Sequence, residues 1–391
     1  MKKHIVGLII AICFGTVIAA SLIFFNWKEG KLSIPENREL AHFPQIINED
    51  GKVSDTLFIE LKKWFEDNLG FREAYFTLSS TINYNLFNKS NANVEIGKDG
   101  WLYYDDENNL EIVRGNYPYF DETFLEQYLE DQIAIHEKLK AQNIEYVLVL
   151  PPSKVSIYPE FIVSGDYQVM QTPTDVFADY IEANSDIKVV RLKESLLAEK
   201  EKTDDNLFFK TDSHWSYAGR FVGYKKIISD LNKWGVISGD KLDAKLTDSG
   251  QVIGDLSKMM GPIKLSGERI SEDVRNWEIT NPKAKELTKF DKLYNDVVGL
   301  ANSKHVEGRL CKVFENENAN KRALIFGDSM LGQCLLEALA ENFSNETFIW
   351  DYKIDQDMIN LVKPDVVILD VSERNLTDAL ADINASEFLR K

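Results

Sequence analysis

Three patterns of apolar and polar positions follow one another along the chain. Residues 5–25 contain no charged side chain over 21 positions, enough for one helix to cross a hydrocarbon layer. Over 58–87, and again over 124–141, apolar residues recur every three or four positions, as at Leu61, Trp64, Phe65 and Leu69, or Leu125, Leu129, Ile133 and Leu139. That spacing predicts amphipathic helices. Short solid apolar runs at 146–150, 323–326 and 366–369 then read as strands, as do 188–192 and 347–350, and helical spacing returns at 176–183, 217–231 and from 331 to about 342. Alternation of helix and buried strand predicts an α/β fold with a mostly parallel sheet and flanking helices. Residues 239–321 are more polar and weakly periodic, and read as an inserted region of short strands and loops that could serve as a lid or contact a ligand.

The first 30 residues are a targeting segment. Lys2 and Lys3 precede the apolar run and predict a cytoplasmic N-terminus. Ala19-Ala20-Ser21 offers a signal-cleavage site as the alternative, but the run continues through Leu22-Ile23-Phe24-Phe25 beyond it, which favours an uncleaved anchor. On either reading the rest of the chain lies outside the cytoplasm: a single-pass membrane protein, or a secreted or periplasmic one. The expected organisation is an anchor or signal over 1–30, an emergence segment with helices over 31–95, and a catalytic domain over 96–391.

Charge narrows the partners. Sixty-three acidic against 45 basic residues give a net charge of −18, which speaks against nucleic acid and disfavours polyanionic acceptors. Neutral glycans fit better. Cys13 lies in the apolar run, leaving Cys311 and Cys334 as a pair that either bonds or stays reduced; no Cys or His spacing suggests zinc. His42, His136 and His305 have no chemical neighbours in sequence and are expected on surfaces.

Two short segments carry candidate chemistry. Gly327-Asp328-Ser329-Met330 follows a strand and precedes a helix, so Ser329 is expected at the sheet edge, beside backbone N–H groups that suit a developing oxyanion. Thr211-Asp212-Ser213-His214-Trp215 supplies an acid and a base. In an extended stretch Asp212 and His214 would point to one side, so Asp212 could fix the His214 tautomer while the other ring nitrogen faces a hydroxyl. Ser216 suits the N-cap of the following helix. Each segment alone also has an ordinary structural reading, as a helix cap or a strand-to-helix turn; together they spell a Ser-His-Asp triad. Lys154 and Tyr158, just after a strand, are candidate substrate contacts at the sheet edge, against a solvated lysine and a packing tyrosine. Arg374 either holds substrate or pairs with Glu373. Trp215 is a sugar platform or a packing residue.

Gly-Asp-Ser after a strand resembles the nucleophile block of SGNH hydrolases, whose fold is flavodoxin-like. Here Asp-x-His-Trp precedes the serine, and that permuted order resembles the alginate O-acetyltransferase (AlgX/AlgJ-like) family and related polysaccharide O-acetyltransferases. Glu36-Asn37-Arg38-Glu39-Leu40, Gly70-Phe71-Arg72, the stretch 97–104, Pro151 to Pro159, Gly254-Asp255-Leu256 and Glu373-Arg374 agree with it. The resemblance implies that Ser329 carries acetyl as an ester to a sugar hydroxyl, with His214 as general base and acid and Asp212 orienting it. It also implies a membrane-bound O-acyltransferase partner as acetyl donor. A carbohydrate esterase with the same triad and a non-catalytic glycan-binding scaffold are the alternatives. No CoA or nucleotide motif is visible, and the chemistry needs no metal or cofactor. The separate glycine and asparagine that complete the oxyanion hole of ordinary SGNH enzymes are not found in the sequence.

Overall fold

The computed structural model describes residues 2–27, 32–33, 38–47, 51–90, 93–105, 109–114, 122–163, 171–239, 242–304, 306, 310–333, 335–384 and 387–390. Glu36, Asn37, His305 and Cys334, named above, lie outside them. The chain divides into two compact units, one of residues 1–96 with 253–271, the other of 97–252 with 272–391.

The first unit begins with α1 (Lys2–Ile23), whose span His4–Ile23 is long and apolar enough to cross a membrane. The helical spacing over 58–87 resolves into α2 (Leu57–Asn68) and α3 (Arg72–Ile82). They separate at Gly70-Phe71, where Phe71 takes a left-handed backbone with φ 61°.

In the second unit α4 (Glu122–Lys140), β1 (Glu145–Leu150), α5 (Pro173–Asn184), β2 (Lys188–Arg191) and α6 (Tyr217–Lys233) follow the expected alternation. The region 239–321 holds an antiparallel hairpin of β3 (Ala244–Val252) and β4 (Glu272–Ile279), then β5 (Lys285–Glu286), helix α7 (Lys292–Ser303) and β6 (Lys312–Glu315). β7 (Arg322–Phe326), β8 (Asn345–Ile349) and β9 (Val366–Asp370) complete a seven-stranded sheet in the order β2-β1-β9-β7-β8-β6-β5. The first five strands are parallel, as the alternation of helix and strand predicts; β6 and β5 are antiparallel. The region 239–321 is shared between the two units, residues 253–271 belonging to the first. Its last part supplies two edge strands to the central sheet.

Both faces of the sheet are covered. Val147, Val149, Ile325 and Ile368 point to one core with α6, and Tyr146, Leu148, Leu324 and Val367 to the other with α5. Alternate residues of each strand thus bury into opposite layers. The helix expected after Ser329 is broken into Ser329–Gly332 and Leu336–Leu339 before a short 3₁₀ turn at Ala340–Asn342.

Candidate active site

Three loops meet at the carboxyl ends of β1, β7 and β9, the edge where open parallel sheets place ligands. After β7, Gly327 has no room for a side chain: a Cβ there would lie 2.5 Å from the Asp370 Cβ and 2.7 Å from the Asp370 carbonyl. Asp328 then caps the turn, its Oδ1 accepting from Met330 N at 2.8 Å. Its Oδ2 accepts from Tyr352 OH at 2.7 Å, Asn375 Nδ2 at 3.1 Å, and both the amide and hydroxyl of Ser372. Asp370, fully buried, accepts from Leu331 N at 3.2 Å. Burial, with Asp328 close by, holds its carboxyl well above the usual carboxylate range. The phenol of Tyr352 is likewise pushed up by burial and by Asp328. None of this network was legible in the sequence beyond the aspartate itself. Ser329 is buried at the first helical position. Among the described residues its hydroxyl and its own N–H make no hydrogen bond, whereas the amides of Met330 and Leu331 are both committed.

The acid and the histidine sit on a tight hairpin. Phe208 bridges Trp215, Phe209 N donates to His214 O at 3.2 Å, and Ser216 N to Leu207 O at 2.9 Å. Asp212 Oδ1 accepts from both the backbone N of His214, at 3.0 Å, and its Nδ1, at 2.7 Å. The stretch is bent rather than extended, so the pairing arises from a carboxylate folding over its own turn. A carboxylate on Nδ1 selects the tautomer that leaves Nε2 as the basic nitrogen. Ser216 caps α6 as expected, accepting from Gly219 N at 3.2 Å. Glu272 at the start of β4 clamps the base of the hairpin: it accepts from Thr211 N and Oγ1, both at 2.7 Å, and from Lys210 N at 2.8 Å.

The two loops are joined. Trp215 Nε1 donates to Met330 O at 3.1 Å, across 115 positions of sequence. The indole is fully buried, so Trp215 is a packing residue and offers no face to a sugar. Lys154 is 4% exposed, and its ammonium donates to the carbonyls of Phe209 at 3.0 Å, Lys210 at 3.2 Å and Asp212 at 2.7 Å. Its three protons hold the hairpin rather than reach for substrate. Tyr158 is equally buried; its hydroxyl accepts from Leu207 N at 2.9 Å and its carbonyl from Tyr103 OH at 2.6 Å. Burial raises its pKa. Both are better described as supports of the hairpin than as the ligand contacts expected of them.

The pair after β9 divides its tasks. Glu373 is fully buried and accepts from Ser153 N at 2.9 Å, Thr174 Oγ1 at 2.7 Å and Ser156 Oγ, tying the loop after β1 to the sheet. Arg374 does not pair with it. The guanidinium lies over the Tyr104 ring at 5.6 Å and makes no ion pair or side-chain hydrogen bond among the described residues. It borders a narrow cleft lined also by Lys154, Ser213, Met330 and Ser372. His136, expected on the surface, is buried with Nε2 3.1 Å from Asp186.

Comparison with known proteins adds a family. The model of the SGNH hydrolase-like domain of acetyltransferase AlgX matches residues 94–317, more than half of the chain; it includes Asp212 and His214 and ends before Ser329. Among curated proteins, the probable alginate O-acetylase AlgJ of Pseudomonas fluorescens is 26% identical over 165 residues, 39% of this chain and 37% of that protein. Its counterpart in Pseudomonas syringae pv. tomato is 24% identical over 249 residues, 62% of this chain and 61% of that protein. The chain thus spans between about two fifths and three fifths of these relatives' length. Similar solved structures include PatB1 of Bacillus cereus, at TM-score 0.46 and 19% identity over 71% of this chain and 95% of that one. The O-acetyltransferase domain of Pseudomonas putida AlgJ is similar at TM-score 0.44 and 15% identity, over 75% of this chain and 98% of the other.

Proposed function

Because the chain belongs to the SGNH hydrolase-like, AlgX-type acetyltransferase-domain family, we propose that its second unit is an O-acetyltransferase that passes acetyl through a Ser329 ester to hydroxyls of a cell-surface or secreted polysaccharide. The observation that carries this reading is the Asp212–His214 pair at 2.7 Å, on a hairpin bonded through Trp215 to the residue after Ser329. Its chemistry is stepwise acyl transfer. As Ser329 Oγ bonds to the donor's acetyl carbon, its proton passes to His214 Nε2. Collapse of the tetrahedral adduct breaks the bond to the donor's leaving group, which takes that proton. A sugar hydroxyl then attacks the acetyl-serine, gives its proton to His214, and Ser329 departs by recovering it. Asp212 stabilises the imidazolium in both halves. The N–H of Ser329, which makes no hydrogen bond among the described residues, would donate to the oxyanion, and Arg374, stacked on Tyr104 at the cleft, would hold substrate or donor.

In the same reading α1 anchors the protein in a membrane with the second unit outside the cytoplasm, next to a membrane-bound O-acyltransferase that exports acetyl. The net charge of −18 favours a neutral acceptor over a uronate polymer such as alginate. The test supplies purified protein with an acetyl ester donor and neutral or uronate oligosaccharides, and follows products by mass. Acetylated neutral oligosaccharide is the expected product. Acetate alone would identify an esterase, and neither product, a binding protein.

A further inference from the structure

The end of α1 is bound into the first unit by polar groups. Ser21 Oγ lies 3.0 Å from Tyr75 OH, Gly70 N donates to Ser21 O at 3.0 Å, and Asn26 N donates to Asn68 O at 2.8 Å. A Cβ on Gly70 would stand 2.6 Å from the Phe24 carbonyl oxygen, so this approach needs glycine. Phe24 and Phe71 meet edge-on at 5.0 Å. Ser21 belongs to the apolar span His4–Ile23. Whatever grips it shares its depth, so α3 starts at the level where α1 would leave the hydrocarbon.

From that point α3 carries an apolar stripe. Phe71, Tyr75, Leu78 and Ile82 recur at three- and four-residue intervals and so fall along one side of α3, and Leu86 follows in the π-helical turn Asn83–Phe87 that continues it; each of the five is between 38% and 72% exposed. The fold uses the other side of α3: Phe76 and Ser80 lie against Gly261. Charged residues of α2 and α3 are nearly balanced, with Glu60, Glu66, Asp67 and Glu73 against Lys62, Lys63 and Arg72. Attraction to anionic lipid is therefore not the drive; apolar contact is.

We propose that α3 lies in the interface of the membrane that α1 crosses, with this stripe turned to lipid. The proposal rests on the anchor reading of α1. The occupant is lipid because the stripe is continuous with the anchor and begins at its exit depth. Such a seat would fix the first unit at the bilayer surface by two elements instead of one.

The test uses the full chain in phosphatidylcholine vesicles, with a photo-crosslinking phenylalanine analogue placed in turn at Ile12, Leu78, Leu86 and Glu73, and adducts identified by mass. Lipid adducts at Ile12, Leu78 and Leu86, several-fold above those at Glu73 on the opposite side, are expected. Adducts at Ile12 with none at Leu78 and Leu86 would overturn the proposal while leaving the anchor intact. Absence at Ile12 as well would remove both readings. Crosslinks from Leu78 or Leu86 to another protein or a second copy, or equal yields at Glu73, would also overturn it.

Discussion

Trp215 and Met330 are joined by one hydrogen bond from the indole Nε1 to the main-chain carbonyl, 3.1 Å long and buried. Each is the immediate neighbour of a residue assigned chemistry, His214 on one side and Ser329 on the other. The bond couples a hairpin before α6 to the turn after β7, and so links the candidate base to the candidate nucleophile through their backbones.

Replacing Trp215 with Phe keeps most of the buried area but strands the Met330 carbonyl. A lost buried hydrogen bond with one partner left unpaired costs about 1–3 kcal/mol. Urea denaturation should show that loss, and modification of Ser329 by a sulfonyl fluoride should slow by more than the unfolded fraction explains.

Lys154→Met removes a buried cation from three carbonyls of the Asp212 hairpin. Charge-assisted bonds contribute about 1.5–3 kcal/mol each at most, so a loss of a few kcal/mol is expected. In protein that remains folded by circular dichroism, kcat should fall with KM little changed, because Lys154 acts on the base and not on substrate. A rise in KM alone would return Lys154 to the substrate contacts.

Gly327→Ala forces a methyl group to within 2.5 Å of the Asp370 side chain. Overpacking of this kind costs about 1–3 kcal/mol, and the turn must shift to relieve it. Calorimetry should record the destabilisation, and acetyl transfer should drop even where the protein is fully folded.

Glu346 on β8 is fully buried, and neither carboxyl oxygen has a hydrogen-bond partner among the described residues. Burial raises its pKa well above the ordinary value, with Lys312 acting weakly in the other direction. A group whose folded pKa is raised contributes stability that is fully present below its unfolded pKa and is lost as pH rises through the folded one. The wild-type protein should therefore lose stability from weakly acidic to alkaline solution. Glu346→Leu should be more stable at neutral pH with a shallower slope, the remainder belonging in part to Asp370, which shifts the same way.

The parallel core was readable because its strands are buried on both faces, leaving solid runs such as 146–150 that no amphipathic helix would show. The Asp212–His214 pairing was also readable, though through a bend instead of an extended strand. What sequence hid was tertiary. Lys154 and Tyr158 occupy a sheet edge, as predicted from their distance past β1, but where a side chain spends its hydrogen bonds depends on a hairpin some fifty residues away. The convergence of Asp328, Ser372, Tyr352 and Asn375 likewise needs three loops at once. The edge strands β5 and β6 have two and four residues, too short for periodicity to register. The broken helix after Ser329 escaped because its apolar spacing continues across the gap.

The proposed acyl transfer needs one serine activated by one histidine. Intact and peptide mass spectrometry after exposure to a sulfonyl fluoride measures this directly. Wild-type protein should gain a single adduct at Ser329, with the rate lowered about 10²–10⁴-fold in His214→Ala, the usual contribution of a general base. An adduct on another residue, or undiminished labelling of Ser329 without His214, would contradict it.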